Sequence, residues 1–161
     1  MKEKRLLTRQ EYEHFLNSIP KGVCTFCEFN EYQIVLKEGW RWLWIANISP
    51  YWNWHTMLVP KRHFEDFLEM NDFEVVEMKE MLAFIMDIYR KSKLTRADGS
   101  EIKKYVYFWR KRDDNFDPIS GNFRPTHFHI HIAPDKDHLW DTTLDKEPYK
   151  CDITKLIQKI K

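Results

Sequence analysis

In the stretch His127-Phe128-His129-Ile130-His131-Ile132-Ala133, polar and apolar side chains alternate strictly from His127 to Ile132. Extended backbone has a side-chain period of two, so a strand is expected here, with three imidazoles on one face and Phe128, Ile130 and Ile132 on the other. Such a strand belongs in a sheet whose apolar face is covered by a second layer. The covering layer must come from elsewhere in the chain.

One segment fits that part. Phe73, Val76, Met81, Leu82, Ile85 and Ile88 recur at three- and four-residue steps, and Asn71 followed by Glu74 has the form of an N-cap pair. A helix over about 73–93 is therefore expected to lie on the sheet, with its methionines filling gaps in the core.

Further strands are expected at 32–36, 40–47, 55–60 and 105–110, the first two joined through Lys37-Glu38-Gly39. Residues 111–121 read as a loop leading to the histidine-rich strand. Trp40, Trp42 and Trp44 share one strand face, a core or packing surface rather than a stacking platform. Thr8 and Glu11 have capping-box form and open a helix at 9–17, and Asp152 is the expected cap of a terminal helix at 153–160. The expected fold is α+β: one domain over 1–161 with its core at about 24–134, an antiparallel β-sheet of about five strands and one long helix packed on it.

Composition narrows the setting. A chain of 161 residues with 43% hydrophobic content can bury a core without disulfide staples. A formal net charge of +1 gives no general case for nucleic-acid or membrane attraction. No apolar run approaches the roughly 20 residues of a membrane span, and Met1–Leu7 is charged with no apolar signal segment behind it, so a cytoplasmic setting is expected. Three cysteines are too few and odd in number for a disulfide framework. In a reducing compartment the Cys24-Thr25-Phe26-Cys27 spacing favours metal over redox chemistry, because the βαβ pattern of a thioredoxin-type pair is missing.

Imidazoles on one strand face stand roughly 6.5 to 7 Å apart at the backbone. Without convergence they cannot share one ion, but one can act while its neighbours bind or orient. Near neutrality an imidazole can be a base, a nucleophile or a ligand.

The run His127 to Ala133 resembles the hallmark of the histidine-triad family of nucleotide hydrolases and transferases, His-x-His-x-His-x-x with x apolar. His55-Thr56-Met57-Leu58-Val59-Pro60-Lys61-Arg62-His63 resembles that family's second signature, with Trp54 where the family has Gly. Ile45-Ala46-Asn47-Ile48-Ser49-Pro50 extends the resemblance, which covers about 24–134.

The resemblance implies reaction at the α-phosphate of a nucleoside phosphoramidate or dinucleoside polyphosphate. His129 is then the nucleophile, and His131 binds phosphate oxygens and helps to deliver a proton. Substrate contacts fall to Ile45, Asn47 and Ile48, with Asn47 standing where the family commonly has an acidic residue for the ribose hydroxyls. Arg124, ahead of the triad, replaces a hydroxyl-bearing residue with a charge suited to polyphosphate. His131, where sugar-nucleotide transferases carry Gln, points to the hydrolase branches.

Cys24, Cys27, His63 and His127 form a Cys2His2 set with no open position, which suits structural zinc, and zinc-bearing family members use these motif positions. The expected partner is a purine nucleotide or nucleotide conjugate, with pairing into a homodimer through sheet edge and helix. The alternatives are a non-catalytic, zinc-stabilised nucleotide-binding or interaction module, or a nucleotidyl transferase.

Overall fold

Asn71 and Glu74 cap each other at the head of the long helix. The Glu74 amide donates to Asn71 Oδ1 at 3.0 Å and the Asn71 amide to Glu74 Oε2 at 2.9 Å, satisfying two N–H groups the helix leaves open. This helix runs Asp72–Ser92 and stops where Lys93 turns left-handed at φ 46°. The computed structural model describes residues 6–28, 33–50, 54–95, 99–109, 116–117, 122–123, 126–134 and 158–160.

In chain order the elements are α1 (Arg9–Ser18), α2 (Thr25–Glu28), β1 (Ile34–Glu38), β2 (Trp42–Ala46), β3 (Thr56–Pro60), α3 (Asp72–Ser92), β4 (Tyr105–Phe108), β5 (Phe116–Asp117), β6 (Asn122–Phe123) and β7 (Ile130–Pro134), with a 3-10 turn at Phe67–Glu69. The main sheet has five strands in the order β1-β2-β3-β7-β4, every neighbouring pair antiparallel. The expected α+β architecture is the one observed.

One face of the sheet meets α3. Trp42 and Trp44 from β2, Leu58 from β3 and Ile130 and Ile132 from β7 share a core with Met81, Ile85, Ile88 and Tyr89 of the helix. The two indoles are fully buried, so each N–H needs an internal acceptor. Trp42 Nε1 donates to the Glu74 carbonyl at 2.9 Å and Trp44 Nε1 to Thr56 Oγ1 at 2.8 Å. The opposite face carries a smaller cluster, Ile45, Met57 and Val59, against which Phe26 and Leu43 pack.

Three sequence expectations are corrected. Trp40 lies before β2 and is 89% exposed, so the indole row has only two buried members. Phe73 and Val76 are also exposed, because the first turn of α3 points Glu74 inward instead. At about 100° per residue Glu74, Met81, Ile85 and Ile88 line up, which places Phe73 about 100° and Val76 about 160° away from them. A bidentate contact with Arg62, Nε to Oε1 at 2.8 Å and Nη2 to Oε2 at 2.7 Å, lets that carboxylate be buried and holds it below the usual carboxylate range. The third correction is the segment read as a loop at 111–121, whose described part joins a small hairpin, β5 with β6.

Of the expected terminal helix, residues 158–160 are described; they are helical, and Ile160 packs on the main core. Among the described residues no helix is long and apolar enough to cross a membrane.

Candidate functional site

The histidine run enters the sheet late. β7 begins at Ile130, so His127 and His129 precede the paired strand, yet the alternation persists, with Phe128 buried against Phe64 and its amide bonded to the Phe64 carbonyl at 2.8 Å. Register sets Met57 of β3 and Phe108 of β4 on either side of His131. Phe108 stacks on the His131 ring, centroids 5.0 Å apart and 19° between planes.

Three imidazoles on the face away from α3 form a chain. His129 Nε2 lies 3.1 Å from His131 Nε2, and His131 Nδ1 lies 2.9 Å from His55 Nε2. Each nitrogen pair needs one proton, and the far ends decide where it goes. His129 Nδ1 faces the His127 carbonyl at 2.8 Å and must donate to it, which leaves Nε2 bare in the neutral ring. His131 therefore donates from Nε2 and accepts at Nδ1, and His55 donates from Nε2.

The Asn47 amide nitrogen also faces the His55 ring, 3.3 Å from Nδ1 and 3.4 Å from Nε2. Burial removes water from His55 and, with His129 nearby, pushes its pKa from 6.5 down to about 3, so a neutral ring suits the site.

The turn carrying His55 is pinned from the helix side. Trp54 occupies the left-handed region at φ 67°, a conformation that costs an L-residue roughly 1 to 2 kcal/mol. Tyr89 of α3 donates to the Trp54 carbonyl at 2.5 Å and accepts from Thr56 at 2.9 Å, and Thr56 accepts from Trp44 at 2.8 Å. Trp54 thus holds a left-handed turn, with a buried hydrogen-bonded chain behind it.

A second cluster abuts the first. Cys24, Cys27, His63 and His127 offer ligand atoms that all lie within 4.8 Å of one another. His127 Nε2 donates to the Pro60 carbonyl at 2.8 Å, so its bare Nδ1 faces Cys24 Sγ at 3.4 Å and Cys27 Sγ at 3.5 Å. His63 Nδ1 is 3.5 Å from Cys27 Sγ. A tetrahedral zinc with bonds of about 2.3 Å to sulfur and 2.05 Å to nitrogen spaces sulfur and nitrogen about 3.6 Å apart. The donor set and its spacing fit that ion.

Burial keeps both kinds of donor neutral when no cation is bound. Desolvation, with Cys24 and Glu28 nearby, raises the Cys27 thiol to about 11, and burial lowers His127 to about 4. The short helix α2 carries Cys27, with Cys24 directly before it, and sets Phe26 between the two, its ring 5.4 Å from His127 and 5.1 Å from His129.

The sequence matches no protein-family model, and no curated protein matches it closely enough to count as a relative. Solved structures do resemble it. A uridylyltransferase mutant superposes with a TM-score of 0.61 at 16% identity, over 94% of this chain and half (50%) of that one. A Hit-like protein from Bartonella henselae gives 0.55 at 14% identity, over 87% of this chain and 97% of that one. A zinc-bound histidine-triad family protein from Mycobacterium smegmatis gives 0.51 at 19% identity, over 85% and 89%.

The chain has the histidine-triad fold.

Within this histidine-triad fold the sequence-chosen residues fall into clear groups. His129 and His131 are in contact, and Cys24, Cys27, His63 and His127 converge. Ile45 is buried beside Met57 and Val59 on the same sheet face as the imidazoles. Ile48 is in the loop after β2, where its carbonyl accepts from the Leu7 amide at 2.6 Å. Asn47 is buried, its amide group directed at Ser49 and His55. Arg124 lies outside the described residues.

Sequence reasoning did not single out His55, Phe26 or Phe108 as site residues. The signal for His55 was present, because alternation along 55-57-59 puts it on the face of Met57 and Val59. Nothing local marked the two phenylalanines, whose positions depend on α2 folding over the sheet and on the β4–β7 register.

Proposed function

We propose that the chain is a nucleotide hydrolase acting at the α-phosphate of a nucleoside phosphoramidate or dinucleoside polyphosphate, with His129 as nucleophile. The observation that carries this reading is the 2.8 Å bond from His129 Nδ1 to the His127 carbonyl, which leaves Nε2 as the lone pair on the outer sheet face.

In the proposed reaction the substrate phosphate displaces the His131 ring from that lone pair. A bond forms from Nε2 to phosphorus as the bond from phosphorus to the leaving nitrogen or oxygen breaks, the leaving group taking its electron pair and a proton. Water then forms a P–O bond as the P–N bond breaks and loses a proton, releasing the nucleoside monophosphate and restoring the bare Nε2. His131, freed from His129, turns its Nε2–H to a phosphate oxygen and passes a proton toward the leaving group.

A purine would lie on the sheet face of Ile45, Met57 and Val59, which Phe26 now covers, with Asn47, Ile48 and Arg124 as further proposed substrate contacts. Bound zinc on Cys24, Cys27, His63 and His127 would serve as a structural cross-link. It would hold α2 on the sheet and fix the residue whose carbonyl orients His129. The neighbours described as histidine-triad proteins and as a uridylyltransferase support nucleotide chemistry of this general kind.

The test is incubation with an adenosine phosphoramidate and with a dinucleoside polyphosphate, beside His129→Ala, followed by intact mass after rapid quench. Nucleotide release and a nucleotidyl adduct in the wild type but not the variant is the expected result. Equal, background-level release from both proteins across the panel overturns the hydrolase reading and leaves a binding module.

A further inference from the structure

In the four-ligand cluster Cys24 and His127 are buried, while Cys27 and His63 are exposed. The His63 ring meets Cys27 Sγ at 3.5 Å and His127 at 4.9 Å between centroids, both members of the same cluster. Its aim therefore depends on the turn that carries it, between β3 and the 3-10 turn. Both ends of that turn are bonded. The Lys61 amide donates to the Arg41 carbonyl at 2.7 Å, and the Phe64 carbonyl accepts the Phe128 amide at 2.8 Å. Arg62 and His63 stand between these bonds, and there the anchor is a side chain.

Arg62 reaches away from the cluster to the head of α3. Its Nε donates to Glu74 Oε1 at 2.8 Å, and its Nη2 to Glu74 Oε2 at 2.7 Å and to the Glu69 carbonyl at 2.8 Å. The guanidinium also lies 4.7 Å from the centre of the Phe64 ring, and Phe64 belongs to the core that α3 covers. Both neighbours of His63 are thus held on the helix side, and His63 is left facing the thiols.

We propose that Arg62 is a positioning residue for the metal centre, gripping Glu74 so that the turn aims His63 Nδ1 at a cation shared with Cys24, Cys27 and His127.

The inference rests on the reading of those four residues as a zinc site and adds the long helix to what shapes it. A two-pronged contact fixes the plane of the guanidinium as well as its distance, which a point charge does not do. The point it closes on is itself fixed, because Glu74 Oε2 also accepts the Asn71 amide at 2.9 Å and the carboxylate side chain is only 4% exposed. The Arg62 side chain is 49% exposed, so solvent screens the pair and its worth lies in geometry more than in stability.

The test is zinc affinity of the intact chain, measured by competition with a chromophoric chelator, for wild type, Arg62→Ala, His63→Ala and the double variant. Arg62→Ala is expected to weaken zinc binding by at least about tenfold, the usual scale for a group that orients a ligand. Arg62→Lys, which keeps the charge and loses the fork, should fall between the two. In the His63→Ala background Arg62→Ala should change nothing further, since the ring it aims is gone. Glu74→Gln keeps the form of the helix cap and removes the charge of the pair, so it should repeat the Arg62→Ala result even if that variant fails to fold. Equal affinity in wild type and the position-62 and position-74 variants overturns the proposal. So does a loss of the same size with and without His63, which marks a general loosening of the fold. A wild type that takes up no zinc overturns the metal reading and this proposal together, whereas tight wild-type binding with unchanged variants overturns this proposal alone.

Discussion

The backbone carbonyl of His127 accepts the Nδ1 proton of His129 at 2.8 Å, while the His127 side chain turns its own Nδ1 to two thiols. One residue thus faces a prospective metal with its ring and the proposed nucleophile with its main chain. Replacing His129 should consequently separate two properties. His129→Ala is expected to lower nucleotide release by at least about a thousandfold, with zinc stoichiometry unchanged by metal analysis. Loss of zinc in this variant would mean that the ring is a ligand.

Zinc uptake should release protons. With the Cys27 thiol raised to about 11, it is protonated at neutral pH in the absence of a cation, and a metal binds the thiolate. Calorimetric titration of the metal-stripped chain in buffers of differing ionisation heat is expected to show at least one proton released. Cys27→Ala should lose that proton and the tight site together, and should unfold at lower temperature than the zinc-loaded wild type.

Acid should destabilise the fold through His55. Its folded pKa of about 3 lies below the ordinary 6.5, so between those values the unfolded chain binds a proton that the folded chain refuses. Stability contributed by this neutral ring is complete above pH 6.5 and falls by up to about 1.4 kcal/mol per pH unit as pH drops toward 3. Urea unfolding across that window should show a slope about one proton shallower in His55→Gln. An unchanged slope would mean that His55 charges freely in the fold.

The Trp54 turn should depend on a hydroxyl from the helix. Tyr89→Phe removes the donor to the Trp54 carbonyl and the acceptor for Thr56, two buried groups, at a cost of about 1 to 3 kcal/mol. Because His55 follows Trp54 directly, kcat for nucleotide release should fall more than KM rises. Equal stability to wild type by denaturant titration would count against the network.

Much of the fold was legible because its signals are local. Strict alternation marked β7, the Asn71–Glu74 pair marked the start of α3, and Thr8–Glu11 formed the capping box the sequence suggested. Phe73 and Val76 misled because helical spacing names an apolar stripe without saying whether its first turn reaches the sheet, and the Arg62–Glu74 contact settles that from another loop. In the site, the four prospective metal ligands were chosen by resemblance to family motifs, since the gap from residue 27 to 63 to 127 carries little meaning before folding. His55 was overlooked for a different reason. Its importance lies in the antiparallel β3–β7 pairing, which no spacing within either strand contains.

Phe26 lies between Cys24, just ahead of α2, and Cys27 within it, and rests against the His129 ring. Anything that shifts those cysteines therefore also shifts the aromatic ring packed beside His129. With zinc on the four proposed ligands, removing the ion would loosen the packing beside His129 while leaving every histidine in the chain.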